Sequence, residues 1–145
     1  MQNKSILLVE DSDDDVTLLL RALQSNHLSH PVEVVGDGEQ ALDFLFGRER
    51  YAGRDLSLQP QLILLDLQLP KMDALEVLKQ IRADERTRFI PVVILTSSTE
   101  AKDIRACYQL GANSYLQKPL NFNQFIEAVR EIATYWLHWN VNVAP

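Results

Sequence analysis

Residues 62–70 read LILLDLQLP: four apolar residues, then Asp66, then a segment that ends in Pro70. A short apolar run of this kind is typical of a strand that is covered on both faces, as the strands of parallel sheets are. Four further runs predict strands at residues 5–9, 32–36, 92–95 and 114–116. We place the runs at 62–65 and 92–95 at the centre of the sheet, because they are apolar throughout.

Between these runs, apolar residues recur at the spacing of a helix with one buried face. The three clearest sets are Val16, Leu19, Leu20 and Leu23; Leu75, Leu78 and Ile81; and Phe122, Phe125, Ile126, Val129 and Ile132. Alternating strands and helices are typical of right-handed βαβ units. The predicted fold is therefore α/β: a doubly wound (βα)5 domain around a five-stranded parallel sheet, with the flavodoxin-like strand order 2-1-3-4-5.

Three local signals refine this outline. Ser97, followed three residues later by Glu100, predicts a capping box that opens the fourth helix. Gly111 can take the left-handed conformation that closes that helix. Residues 47–59 are polar and longer than a usual helix-to-strand connection, and they predict a surface loop.

The composition predicts one soluble domain over residues 1–145. A net charge of −6 without a basic run argues against direct binding to nucleic acid. No segment approaches the roughly 18 consecutive apolar residues of a membrane span, and the N-terminus lacks the pattern of a secretory signal. Cys107 is the single cysteine, which fits a reducing compartment, and we read it as a small core residue on the fourth helix. We expect a cytoplasmic protein.

Three carboxylates follow two predicted strands at the same edge of the sheet. Glu10 and Asp11 come directly after the first strand, and Asp66 comes directly after the third. Carboxylates this close repel one another unless a cation neutralises them, and Mg²⁺ prefers such ligands together with a phosphate. Taken singly, each residue could instead cap the next helix, as residues 12–15 are expected to do for the first helix.

A hydroxyl and an ammonium group are predicted at the same edge. Thr96 ends the fourth strand, and Lys118 follows the fifth. A hydroxyl can donate to a phosphoryl oxygen, and a lysine can balance the charge of a transferring phosphoryl group. Alone, Thr96 could be a helix cap and Lys118 a surface lysine; their coincidence with the carboxylates at successive strand ends favours a phosphoryl-transfer site.

These residues stand in four motifs: VED at 9–11, LLDLQLP at 64–70, ILTSS at 94–98 and YLQKP at 115–119. With them the chain resembles the receiver domains of two-component response regulators along nearly its whole length. The resemblance implies that Asp66 is the phosphoacceptor and that Lys118 and Thr96 assist its phosphorylation. It further implies Mg²⁺ held by Glu10, Asp11, Asp66 and the backbone carbonyl of Gln68, a switch formed by Thr96 and Tyr115, and a sensor histidine kinase as partner.

Within that family, the chain is similar to the small regulators paired with cyanobacterial and bacterial phytochromes. The similarity lies in LLDLQLPK, in the loop containing Tyr51 and in the C-terminal YWLHWN. It implies a signalling protein without an output domain that catalyses only its own phosphorylation and dephosphorylation. It also implies a homodimer through the fourth helix, fifth strand, fifth helix and a C-terminal extension over about residues 134–145. Trp136 fits the buried stripe of the fifth helix, whereas Tyr135 and Trp139 fall off it and are candidate interface residues.

One position departs from the family pattern. Ala74 follows Asp73, where receivers usually carry glycine. The turn into the third helix is therefore expected to avoid a positive φ at this residue.

Three other functions fit the sequence less well than this interpretation. A phosphatase of the haloacid-dehalogenase type needs a second aspartate two residues after the nucleophile, and Gln68 cannot do its acid–base work. A flavodoxin-like flavin carrier needs a phosphate-binding first loop, which the acidic residues 10–14 would repel. A receiver-like module that has lost phosphorylation is disfavoured by the intact acidic cluster.

Overall fold

Five parallel strands form one sheet in the computed structural model, which describes residues 5–24 and 30–143. The strands are β1 (Ile6–Val9), β2 (Val32–Val35), β3 (Leu62–Asp66), β4 (Val92–Thr96) and β5 (Ser114–Gln117). Their order is β2-β1-β3-β4-β5, which confirms the predicted fold class and strand order. Each predicted strand is present, with ends that differ by one residue at most.

Helices cover both faces of the sheet. They are α1 (Asp13–Gln24), α2 (Gly38–Phe46), α3 (Ala74–Ala83), α4 (Ala101–Gln109) and α5 (Phe122–Thr134), with a 3-10 turn at Glu49–Tyr51 and a π-helix at Tyr135–Trp139. Side chains of α2 and α3 bury one face of the sheet, and side chains of α1 and α5 bury the other. Among the described residues, no helix combines the length and apolar character needed to cross a membrane.

The central strands are buried on both faces, as their composition predicts. Leu7 and Ile63 point into the core beneath α2 and α3, whereas Leu8 and Leu64 point into the core beneath α1 and α5. This alternation follows from the two-residue period of a strand, and it explains why these strands carry no polar residue before their last position. The apolar runs thus hold the strand ends in a rigid arrangement.

The predicted loop at 47–59 contains a short 3-10 turn, and an arginine fastens it to α2. Arg54 donates from Nε to the Phe44 carbonyl at 2.7 Å and from Nη1 to the Leu58 carbonyl at 2.9 Å. Its guanidinium also lies 4.0 Å from the centre of the Phe44 ring. The segment is therefore tied to the body of the domain at both of its ends.

The start of α4 differs from the prediction. The predicted capping box between Ser97 and Glu100 is wrong, because the helix begins at Ala101 and its N-cap residue is Glu100, without a side-chain capping hydrogen bond. Ser98 Oγ accepts from the Glu100 N–H at 3.3 Å and donates to Asp103 Oδ2 at 2.7 Å. At the other end, Gly111 takes the predicted left-handed conformation, with φ of +99°.

The turn from β3 into α3 avoids a positive φ at Ala74, as expected from the missing glycine. Ala74 is the buried first residue of α3, and Asp73 before it is extended and accepts from the Leu75 N–H at 2.9 Å. The left-handed residue of this connection is Lys71, with φ of +68°. The positive-φ residue of this connection thus lies three positions before the first residue of α3.

Cys107 is fully buried, which confirms its interpretation as a core residue. Burial and the nearby carboxylates of Asp103 and Asp73 raise the pKa of its thiol to about 11. The thiol is therefore neutral at physiological pH.

The C-terminal aromatic residues fall into a packed residue and two exposed ones, as the helical stripe predicts. Trp136 packs against the core beneath α1 and α5, and Leu137 is buried there. Tyr135 and Trp139 are 51% and 68% exposed. The predicted extension at about 134–145 is a π-helix followed by an irregular segment, and its last two residues lie outside the described residues.

Candidate functional site

The predicted site residues meet at the carboxyl edge of the sheet. Val9 of β1 pairs with Leu65 of β3, so the next residues, Glu10 and Asp66, leave the sheet side by side. Thr96 is the last residue of β4, and Lys118 follows β5 directly. Ligands of doubly wound sheets bind at this edge, because the crossover helices leave it open.

The three carboxylates form a cluster that could hold a metal ion. Glu10, Asp11 and Asp66 each offer an oxygen, and these oxygens lie within 4.8 Å of one another. Glu10 and Asp66 are only 3% and 6% exposed, whereas Asp11 faces solvent. The backbone holds the inner two: Glu10 Oε2 accepts from the Asp11 N–H at 3.0 Å, and Asp66 Oδ1 accepts from the Gln68 N–H at 3.0 Å. The role of the Gln68 carbonyl stays a prediction.

Glu10 is a weaker acid than an ordinary glutamic acid. Burial, a hydrogen bond with Asp66 and the charge of Asp66 raise its pKa to about 8, although Lys118 acts in the opposite direction. A buried carboxyl that holds its proton near neutral pH lacks sufficient positive charge around it. Three hard oxygen ligands in a place that lacks positive charge fit a divalent cation of the Mg²⁺ type.

Lys118 reaches the same cluster from β5. Its Nζ lies 2.8 Å from Glu10 Oε1, 2.8 Å from Asp15 Oδ2 and 3.5 Å from Asp66 Oδ2, and the side chain is 15% exposed. Burial opposes the charged form, but the hydrogen bonds to Asp15 and Glu10 outweigh it and hold the pKa of Lys118 above its ordinary value. The lysine is thus a fixed positive charge beside Asp66.

Thr96 and Tyr115 are connected through the backbone of Ser98. Thr96 is fully buried, and its Oγ1 accepts from the Ser98 N–H at 3.2 Å. The Ser98 carbonyl accepts from the Tyr115 hydroxyl at 3.0 Å. Both predicted switch residues therefore bind the backbone of Ser98 in the β4–α4 loop, Thr96 at its N–H and Tyr115 at its carbonyl.

Asp15 is a site residue that sequence reasoning missed. The sequence predicts residues 12–15 to cap α1, and Asp13, Asp14 and Asp15 do lie in its first turn, but Asp15 also contacts Lys118. Nothing in its own segment distinguishes Asp15 from Asp13 and Asp14, because its partner is 103 positions away.

Comparison with known proteins settles the family. The model for the response regulator receiver domain matches residues 6–130. The chain belongs to the receiver domain family. A receiver domain is a signalling module whose partner is a histidine kinase, and this assignment fits the acidic cluster and the lysine beside it.

Two curated relatives match this receiver over most of both chains. The response regulator Rcp1 of Synechocystis is 40% identical over 134 residues, which is 92% of this chain and 89% of the relative. The probable methanogenesis regulatory protein FilR2 of Methanothrix harundinacea is 46% identical over 140 residues, covering 97% and 88%.

Solved structures show the same receiver fold. The phosphorylated cyanobacterial phytochrome response regulator RcpA has a TM-score of 0.90 and 38% identity, with 97% of this chain and 98% of that chain covered. The Mn²⁺-bound form of Rcp1 has a TM-score of 0.89 and 38% identity, covering 97% and 99%. A receiver with the same fold thus holds a divalent metal.

Proposed function

We propose that this receiver accepts a phosphoryl group from a sensor histidine kinase onto Asp66 in a Mg²⁺-dependent reaction. The observation that carries the proposal is the placement of Asp66 between two acidic residues and Lys118, at the open edge of the sheet. A carboxylate on a rigid strand end is a competent nucleophile toward phosphorus when the charge around it is balanced. The protein acts as a signalling receiver that catalyses only its own phosphorylation and dephosphorylation.

The chemistry is an in-line displacement. An Asp66 carboxylate oxygen forms a bond to phosphorus as the bond between phosphorus and the imidazole nitrogen of the kinase phosphohistidine breaks. The imidazole keeps the electron pair of the broken bond and takes up a proton. Lys118, 3.5 Å from Asp66 Oδ2, offsets the negative charge on the phosphoryl oxygens.

Glu10, Asp11, Asp66 and the backbone carbonyl of Gln68 would hold the Mg²⁺. When bound, Mg²⁺ supplies positive charge for the carboxylates and for the phosphoryl oxygens. Burial and the neighbouring Asp66 raise the pKa of Glu10, so positive charge bound beside it would favour its ionised form. Thr96 has a different role: its hydroxyl would donate to the phosphoryl group and leave the Ser98 N–H to which it now binds.

The Thr96 movement is proposed to switch the face formed by α4, β5 and α5. A phosphoryl group adds about −1.5 to −2 charge beside Thr96 and attracts its hydroxyl. The same shift displaces Ser98, whose carbonyl now binds the Tyr115 hydroxyl. Tyr115 is then free to turn inward, and the shape of the face changes.

A phytochrome-type kinase is the proposed partner. Besides RcpA, the bacteriophytochrome response regulator RtBRR supports this choice, with 46% identity over the whole chain and 85% coverage of the RtBRR chain. The equal identity to FilR2, a probable methanogenesis regulator, leaves a kinase without a light sensor as the alternative. Phosphotransfer from purified kinases of both types, the phytochrome in its red and far-red forms, distinguishes them by rate.

We propose that residues 1–145 act as a single cytoplasmic receiver domain whose effect passes to another protein. The chain aligns with 88% and 89% of the length of two relatives, which supports one receiver domain over these residues. A negative net charge of −6 disfavours direct nucleic-acid binding, and interaction with a membrane is not part of the proposal.

We also propose that the chain forms a homodimer through α4, β5, α5 and the C-terminal extension. Exposed aromatic residues support this choice: Tyr108 on α4, Phe122 on α5, and Tyr135 and Trp139 in the π-helix. Replacing Trp139 by Ala is expected to weaken dimerisation about tenfold or more, since interface tryptophans contribute heavily. Sedimentation equilibrium measures the change. Phe89→Ala, at an equally exposed ring outside this face, is the control and should leave dimerisation unchanged.

Phosphorylation itself is tested by metal removal. With acetyl phosphate and Mg²⁺, we expect intact-protein mass spectrometry to show one added phosphoryl group. With excess EDTA the initial rate should fall about 100-fold or more, because the metal supplies several kcal/mol of charge stabilisation. An equal rate in EDTA would contradict the metal requirement, and no label under either condition would contradict the proposed function.

A further inference from the structure

Lys118 is shared between the proposed phosphorylation site and Asp15 on α1. An ammonium group has three donors, and two of them go to Glu10 and Asp15 at 2.8 Å each. Asp66 is farther, at 3.5 Å. In this structure Lys118 is therefore held more tightly by its acidic neighbours than by the proposed phosphoacceptor.

From this geometry we infer that Asp15 is a positioning residue that restrains Lys118 and slows phosphorylation of Asp66. The inference rests on the proposed function, and it adds a residue that sets the rate. To serve the phosphoryl oxygens, the Lys118 ammonium must give up part of its contact with Asp15. Glu10 cannot play the same part, because it belongs to the metal cluster.

The position of Asp15 suits this role. It lies in the first turn of α1, where its N–H is bound by Ser12 Oγ at 3.3 Å, so the backbone that carries it is fixed. Its side chain is 32% exposed. A partly exposed carboxylate can therefore compete for the lysine at modest strength and be removed without opening the core.

The test compares initial rates of acetyl phosphate labelling at saturating Mg²⁺. Asp15→Asn is expected to react about fivefold faster than the wild-type protein, a change in the range that a partly exposed ion pair contributes. Asp15→Glu keeps the charge and should return the rate to near the wild-type value. Asp14→Asn removes the same charge from the same turn, at an exposed position, and should leave the rate unchanged.

A second readout follows Lys118 directly. In nitrogen-detected NMR of the lysine ammonium groups, Asp15→Asn should speed proton exchange of Lys118 several-fold, and Asp14→Asn should not. A slower or unchanged labelling rate in Asp15→Asn would overturn the restraint, as would an equal acceleration in Asp14→Asn. Failure of the wild-type protein to be labelled at all would overturn the proposed function as well, and the two failures are thus distinguishable.

Discussion

Replacing Asp66 by Asn is expected to abolish phosphoryl labelling by acetyl phosphate while leaving a folded and more stable protein. The amide has no nucleophilic oxygen of comparable strength, so the loss should be complete within the detection limit of mass spectrometry. The gain in stability has a separate cause. Asp66 is buried within 4.8 Å of the Glu10 and Asp11 carboxyl oxygens, and a neutral amide in its place removes a buried negative charge from this acidic cluster. We expect the free energy of unfolding, without divalent metal, to rise by about 1 kcal/mol.

Both effects need a matched control. Asp14→Asn removes the same charge from an exposed position in α1 that contacts neither Lys118 nor the acidic cluster. It should be labelled at the wild-type rate and unfold at nearly the same urea concentration. Labelling of Asp66→Asn at the wild-type level would move the phosphoacceptor to another residue. A loss of stability would show that the cluster does not repel itself as the geometry indicates.

Replacing Arg82 by Met is expected to be the most destabilising single change away from the hydrophobic core. The guanidinium of this α3 residue donates to four oxygens: the carbonyls of Gly111, Arg88 and Ile90 at 2.8–2.9 Å, and Asn113 Oδ1 at 2.8 Å. Methionine keeps the apolar stem but removes all four hydrogen bonds, although Asn113 Oδ1 still accepts from the Val92 N–H. Because hydrogen bonds to charged groups contribute about 1.5–3 kcal/mol each and water can replace some of them, we expect a loss of about 3 kcal/mol.

Urea unfolding measures this loss, and the chain offers a close control. Arg86 is exposed, its guanidinium lies 4.9 Å from the centre of the Phe46 ring, and it donates two side-chain hydrogen bonds to Asp84 at 2.8–2.9 Å. Arg86→Met should change the free energy of unfolding by no more than about 0.5 kcal/mol. If Arg82→Met were no more destabilising than Arg86→Met, the four hydrogen bonds would contribute little to stability.

The arginine also links two loops that the proposed switch depends on. It joins the C-terminal end of α3 to the segment between α4 and β5, and Gly111 packs so closely on it that a Cβ there would lie 2.9 Å from Arg82 Nε. Tyr115 lies two residues after Asn113. The Oδ1 of Asn113 accepts hydrogen bonds from both Arg82 and the N–H of Val92. The segment between α4 and β5 is therefore anchored, and we expect the movement of the proposed switch at the end that carries Ser98.

Local patterns of this chain were sufficient for the fold and for most of the proposed site. A short apolar run followed by polar residues predicts both a strand and the place where it ends, so Asp66, Thr96 and Lys118 could be placed at one edge of the sheet without coordinates. The same reasoning placed Glu10 and Asp11 at that edge. These inferences succeed because strand position and burial depend on short stretches of sequence.

Asp15, Ser98 and Arg82 required the tertiary structure. Each looks like an ordinary surface or capping residue in its own segment, and each acquires its role from a partner 5 to 103 positions away, Asp103 for Ser98 and Lys118 for Asp15. A sequence pattern states which face of an element is apolar, but not which polar group from another element will meet a given side chain. The sequence by itself thus determined that Asp66 stands at the carboxyl edge of the sheet, and which chemical types of side chain surround it. Only the packing of α1 against the edge of the sheet decided that Lys118 is held by Asp15 as well as by Glu10.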